Sequence, residues 1–188
     1  IKKSGQKIYA RGGVNEKSIE LAHHLGFHGV ALYGYLWKSS SPYTKYIDFI
    51  RFCKEKNIPI ISDGGIRNLG DIAKALLTGS SFVMVGSLIA ACTDSSAETI
   101  KRYRKTGFCD ANGVEEIEPI YLKHFYGSAS ARNKGYDLYV EGRDVFLECN
   151  GLTVSNWYSK SKQAIQSSIS YAGGKNIKDL MKFSYKIR

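Results

Sequence analysis

The chain has 188 residues, of which 43% are hydrophobic and 23% charged, and a formal net charge of +10. That length suits one domain, or one domain with a small appendage, and the composition is globular rather than disordered or fibrous. The longest apolar stretch, about Phe82 to Cys92, is interrupted by Gly86 and Ser87 and is too short to span a bilayer; with no signal peptide in view, no membrane partner is expected. Ile1 stands where a methionine would begin a gene product, which points to a fragment or a trimmed chain.

The charge is unevenly spread. Residues 1–57 carry 10 Lys and Arg against 4 Asp and Glu, residues 58–100 carry 2 against 4, and residues 101–188 carry 15 against 9. A basic excess favours anionic partners such as nucleotides, nucleic acid or acidic surfaces. A solvated lysine-rich face explains the same charges. The cysteines, at 53, 92, 109 and 149, form no CxxC pair, so no metal site is expected. Their wide spacing reads as reduced thiols in a cytoplasmic protein.

In chain order, short apolar runs alternate with helical periods. Strands are expected at Ile8–Ala10, Gly29–Tyr33, Ile58–Ser62 and Phe82–Val85. Between them lie expected helices at Glu16–Leu25, with Asn15 as N-cap, at Pro42–Lys56, and at Asp71–Thr78 ended by Gly79. Strand–helix alternation implies parallel βαβ units. The pattern also repeats: Gly12-Gly13 and Gly64-Gly65 are offset by 52 residues, as are Gly34 and Gly86. Beyond Cys92 the texture becomes polar. Thr93–Glu118, with Lys101-Arg102-Tyr103-Arg104-Lys105 and the turn-like Asp110-Ala111-Asn112-Gly113, reads as mostly loop with some helix. Tyr136–Glu148 reads as a hairpin turning near Glu141-Gly142, and Ser159–Tyr171 and Asn176–Phe183 as helices joined by Gly173-Gly174.

Two strand ends carry chemistry. The run Ile58 to Ser62 ends in Asp63-Gly64-Gly65, where glycines let the main chain approach a ligand and aim N–H groups at an anion. The Asp63 carboxylate can accept two hydrogen bonds from a ribose diol. The run Phe82 to Val85 ends in Gly86-Ser87, whose amides and hydroxyl can reach the same phosphate. In barrels, phosphate sites often form from the loops after the seventh and eighth strands. A tight turn alone would also explain the paired glycines.

The run IPIISDGGIRNLGDIAKALLTGSSFVMVGSLIA (58–90) resembles the end of the barrel in the IMP dehydrogenase and GMP reductase family. FYGSASARNKG (125–135), VEGRDVFLE (140–148) and QSSISYAGGKNIKDL (166–180) continue the resemblance in order and are similar to the reductase branch. The resemblance covers about 130 residues, interrupted by a longer-than-usual insertion near 101–120. It implies an α/β fold, a partial (β/α)8 TIM barrel with parallel strands, plus a C-terminal flap, hairpin and helices. It implies NADPH-dependent reductive deamination of GMP to IMP and ammonia, in a homo-oligomer of the family's tetrameric kind. Matched residue by residue, Asp63, Gly64 and Gly65 would hold ribose and phosphate, and Gly86 and Ser87 phosphate. Tyr126, Gly127, Ser128 and Ala129 would line the purine, Glu141 would help proton transfer, and Ser167, Ser168 and Ser170 would lie near NADPH. Leu138 stands where the family often has a basic residue.

Residues 1–56 differ. KIYARGGVNEKSIELAHHLGFHGVALYGYLW is similar to the last barrel strands of thiamine phosphate synthase and its TenI-type relatives, with Arg11 departing from the usual small or apolar residue. Two segments are therefore expected, 1–56 of that kind and 57–188 of the reductase kind. The reductase family's nucleophilic cysteine lies on an earlier loop with no counterpart here, and Cys53, Cys92, Cys109 and Cys149 sit in no matching motif. His23, His24 and His28 read as surface or capping residues, since 23 and 24 face different ways on a helix. Three other readings stay open: a thiamine phosphate synthase-like transferase, a non-catalytic nucleotide-binding remnant, and a basic RNA-binding module. No RRM, KH or OB pattern supports the last, so nucleic acid is not expected.

Overall fold

A computed structural model describes residues 9–11, 16–33, 43–127, 130–135 and 144–182. Two compact units emerge: Ile1–Gly86 with Lys160–Arg188, and Ser87–Ser159.

The first unit is built on β1 (Tyr9–Arg11), α1 (Glu16–His24), β2 (Gly29–Tyr33), α2 (Tyr43–Glu55), β3 (Ile60–Asp63), α3 (Leu69–Leu77) and β4 (Phe82–Met84). The strands lie in the order β1-β2-β3-β4, and every neighbouring pair is parallel. Right-handed crossovers between sequential neighbours place all the connecting helices on one face, as in half of a (β/α)8 barrel. That face is the core. Val30 and Ile60 of the strands, Ile19 and Ala22 of α1, Ile50 and Cys53 of α2, and Ile72, Ala75 and Leu76 of α3 are all buried. The opposite face, toward the barrel interior, is less covered: Phe82 and Met84 remain 52% and 46% exposed. Because β2 pairs with β3, the sheet runs without a break across the junction expected near residue 56.

Local chemistry sets the element ends. The strand expected at Ile58 starts at Ile60, because the Ile58 amide bonds back to the Cys53 carbonyl at 2.8 Å and Pro59 has no N–H to give a ladder. The helix expected at Asp71 starts at Leu69, because Asn68 is its N-cap, its Oδ1 accepting the Asp71 N–H at 2.9 Å. Asp71 in turn accepts the Arg67 amide at 2.8 Å, pinning the short loop after β3. The N-cap expected at Asn15 lies outside the described residues.

The second unit corrects the expectation for Thr93–Glu118. In place of loop and helix there are two long strands, β5 (Thr99–Cys109) and β6 (Glu115–Tyr126), paired antiparallel and joined by the expected Asp110–Gly113 turn. They escaped the sequence reading because β5 is exposed along most of its length, so no alternation of apolar residues marks it. Threonine, isoleucine, tyrosine and phenylalanine still favour extended backbone there. Cross-strand charges hold the pair: Arg104 to Glu118 at 2.7 Å and Lys105 to Glu115 at 2.6 Å. Of the expected Tyr136–Glu148 hairpin, residues 136–143 lie outside the described set. Its second arm is β7 (Asp144–Glu148), which pairs antiparallel with β6. The short helices α4 (Ser87–Ala90) and α5 (Ala131–Lys134) flank these strands in sequence.

The helix α6 (Val154–Tyr171) begins five residues before the expected Ser159, since the Thr153 hydroxyl accepts the Asn156 N–H at 3.2 Å and Asp94 accepts the Val154 N–H at 2.7 Å. It ends where Gly173 turns with φ +70°, and α7 (Ile177–Lys182) follows, burying Leu180 in the first unit.

Candidate functional site

At the C-terminal edge of the parallel sheet, Asp63 pairs in register with Met84. The two glycine-ended runs therefore leave the sheet side by side. Asp63 is only 7% exposed, although it is a polar, acidic residue. It alternates with Ser62, whose hydroxyl is buried on the helix-covered face against Ser80, so Asp63 projects to the barrel-interior face. Gly64 and Gly65 follow with φ +82° and +74°. Two consecutive left-handed residues suit glycine, and an L side chain there would be strained. Around Gly64 no atom would meet an added Cβ within 4 Å, so the space beside this turn is open. Gly86, exposed, leaves the end of β4 two residues after Met84, and Ser87 opens α4. The chemistry available is an anion cradle of main-chain amides beside a carboxylate suited to a diol.

In the second unit, Tyr126 ends β6 and is partly exposed. Gly127 accepts the Ser130 N–H at 2.9 Å, and the buried Ser130 caps α5 through its hydroxyl. Ser128, Ala129 and Glu141 lie outside the described residues. On α6, Ser167 and Ser170 are exposed one turn apart on one face, whereas the Ser168 hydroxyl donates to the Ala164 carbonyl at 2.9 Å. Ser168 is thereby left with accepting capacity only.

The cysteines divide by environment. Burial pushes the Cys53 thiol up to about 11 from an ordinary 9.0. Cys92 is buried with its Sγ 3.6 Å from the Leu88 carbonyl, Cys109 is exposed on β5, and Cys149 is half-buried. All four are unbridged. His23, His24 and His28 are exposed, and no metal-binding cluster occurs among the described residues. A groove of about 420 Å³ in the second unit is lined by Arg104, Glu118, Tyr121 and Glu148 among others, and by none of the residues expected to bind nucleotide.

One constellation escaped the sequence reading. His124, buried on β6, bonds through Nε2 to Asp144 Oδ1 on β7 at 2.6 Å, with Glu98 3.9 Å from its Nδ1. No local signal marks it, because its partner is 20 residues away and is found only through the β6–β7 register.

Comparison with known proteins bears on the same segments. A family model described as IMP dehydrogenase / GMP reductase domain matches residues 41–187. The chain is 43% identical over 129 residues to a GMP reductase of Staphylococcus saprophyticus, covering 69% of this chain and 34% of that protein. It is 37% identical over 139 residues to a GMP reductase of Mesoplasma florum, covering 73% of this chain and 38% of that protein. The chain thus spans about a third of the length of the curated relatives it matches. A crystal structure of a Trypanosoma brucei GMP reductase variant in complex with guanosine 5'-monophosphate superposes with a TM-score of 0.68 at 20% identity, over 96% of this chain and 38% of that one. That superposition fixes the fold as part of a barrel and takes in the first strands as well. The matched stretch contains both glycine-ended strands, the β5–β6 arm and the C-terminal helices: the chain belongs to the IMP dehydrogenase / GMP reductase family.

Proposed function

We propose that this chain is the nucleotide-holding part of a GMP reductase-like oxidoreductase, acting in the NADPH-dependent reductive deamination of GMP to IMP and ammonia. The observation that carries the reading is the pair of strand ends, Asp63-Gly64-Gly65 beside Met84-Val85-Gly86, with a buried carboxylate and two left-handed glycines. In this reading Asp63 binds the ribose, and Gly65, Gly86 and Ser87 bind the phosphate. Tyr126, Gly127, Ser128 and Ala129 line the purine, and Glu141 moves a proton during deamination. NADPH, when bound, supplies hydride. The exposed hydroxyls of Ser167 and Ser170 fit a dinucleotide as donors, and the assembly in this reading is a homo-oligomer, a tetramer by resemblance.

Four unbridged thiols support a reducing, cytoplasmic setting. No helix among the described residues is long and apolar enough to cross a membrane. Nucleic acid is left out of the reading, because on β5 Arg104 and Lys105 are paired with Glu118, Glu148 and Glu115 rather than offered to phosphates. We further propose that residues 1–56 derive from a TenI-type barrel end and 57–188 from a reductase, joined within one continuous sheet.

Calorimetry tests the cradle. Charge-assisted amide contacts contribute about 1.5–3 kcal/mol each, so GMP should bind far better than guanosine. Equal affinities would remove the phosphate cradle. Asp63→Ala should weaken GMP and leave inorganic phosphate binding nearly unchanged.

A further inference from the structure

The His124 cluster lies at the root of the proposed purine contact. Tyr126 pairs in register with Asp144, and His124 with Phe146. The imidazole is only 6% exposed, stacked on Phe146 at 4.6 Å and edge-on to Tyr126 at 5.5 Å. Tyr126 also carries the Arg132 guanidinium of α5, 5.3 Å from the ring centre. A continuous line of side chains therefore runs from Asp144 through His124 and Tyr126 to Arg132.

An imidazole free to rotate about χ2 would leave the neighbouring ring undefined. A hydrogen bond at one ring nitrogen fixes its plane, and the second carboxylate, Glu98, faces the other nitrogen. The Tyr126 ring is set against that plane, and Gly127 follows it directly, its carbonyl accepting the Ser130 N–H.

We propose that His124, held by Asp144, is a positioning residue that fixes Tyr126, and with it the adjoining Gly127, for nucleotide binding. The proposal rests on the reading of Tyr126 and Gly127 as purine contacts. His124 touches no reacting atom; it acts through Tyr126.

The test uses the full 188-residue chain. Asp144→Ala removes the partner at a site 43% exposed, so the variant should fold, and Asp144→Asn keeps an acceptor at the same place. Amide exchange is followed by mass spectrometry without nucleotide, and GMP and inorganic phosphate are titrated separately. In Asp144→Ala, exchange across residues 126–135 should rise about tenfold, while Ile60–Asp63 keeps its wild-type rate. GMP affinity should fall about tenfold with phosphate affinity unchanged, and Asp144→Asn should restore both to within about twofold. Unchanged exchange in Asp144→Ala and in His124→Leu overturns the proposal. So does a uniform rise over the whole chain, or faster exchange at 126–135 with unaltered GMP binding. A wild-type chain that binds no GMP brings down the reading of the site instead, and the exchange measurement then decides by itself whether His124 holds Tyr126.

Discussion

Gly29→Ala should destabilise the parallel sheet, although it adds a single methyl group. That methyl would lie 2.5 Å from the Pro59 carbonyl oxygen and 2.6 and 2.8 Å from Cε1 and Cδ1 of Tyr9. The tyrosine ring can turn aside. The carbonyl cannot, because it is main chain and accepts the Val30 N–H at 3.0 Å, joining the starts of β2 and β3. The strands must part there. Overpacking of this kind costs about 1–3 kcal/mol, and a weakened ladder bond adds about 1 kcal/mol. Gly64→Ala is the matched control: its methyl meets nothing within 4 Å, so only the φ of +82° opposes it, at about 1–2 kcal/mol. Urea unfolding followed by far-UV circular dichroism should rank Gly29→Ala below Gly64→Ala in midpoint at unchanged slope. GMP affinity should rank them in reverse, since Gly64 lies in the turn proposed to hold ribose and phosphate. A Gly29→Ala chain within about 0.5 kcal/mol of wild type would refute the close-approach reasoning.

Cys53 makes stability depend on alkaline pH. Its thiol is raised from 9.0 to about 11 by burial, so the folded state holds the proton more tightly than the unfolded state does. The contribution is fully present below about pH 9 and lost as pH rises through about 11, amounting to about 3 kcal/mol in the limit. Urea midpoints should fall between about pH 8 and about pH 10.5, and less so in Cys53→Ala; parallel behaviour of the two proteins would contradict the assignment. The 188-residue chain with GMP and NADPH should consume reduced cofactor far more slowly than about 1 per second, because no cysteine stands in the family's nucleophile motif and loss of a covalent nucleophile costs orders of magnitude. Faster loss of cofactor absorbance would require a nucleophile among the four thiols, to be found by serine replacement.

The parallel sheet was legible because buried strands are apolar throughout and are punctuated by glycine. Gly29–Tyr33 matches the sequence reading residue for residue, and Phe82–Met84 within one. Ends shifted where main-chain bonds reached backward, as at Ile58, or where an unnoticed cap came first, as at Asn68. The β5–β6 arm was illegible for a physical reason: β5, wet along most of its length, needs no hydrophobic alternation, and Arg104 and Lys105 serve it better than leucine would. In the site, Asp63 and the adjoining glycines could be read from one contiguous stretch. His124 could not, since its meaning depends on which residue of β7 comes to lie beside it. The role of Gly29 is hidden for a similar cause: a glycine in a strand signals a close approach, but the approaching atoms belong to Tyr9 and Pro59.

Lys123 is 3% exposed and its Nζ donates to the carbonyls of Thr93, Ser95 and Ala97 at 3.1, 3.3 and 3.3 Å. Three main-chain oxygens thus converge on one tethered positive charge, the arrangement by which other proteins bind a calcium or potassium ion. Here the ion is supplied by the chain itself, at fixed stoichiometry and beyond the reach of chelators. The loop before β5 is therefore tied to β6 by three bonds from one side chain. An amine-reactive label would find the many surface lysines at once and Lys123 only when this unit opens, which makes its modification a built-in clock for that opening.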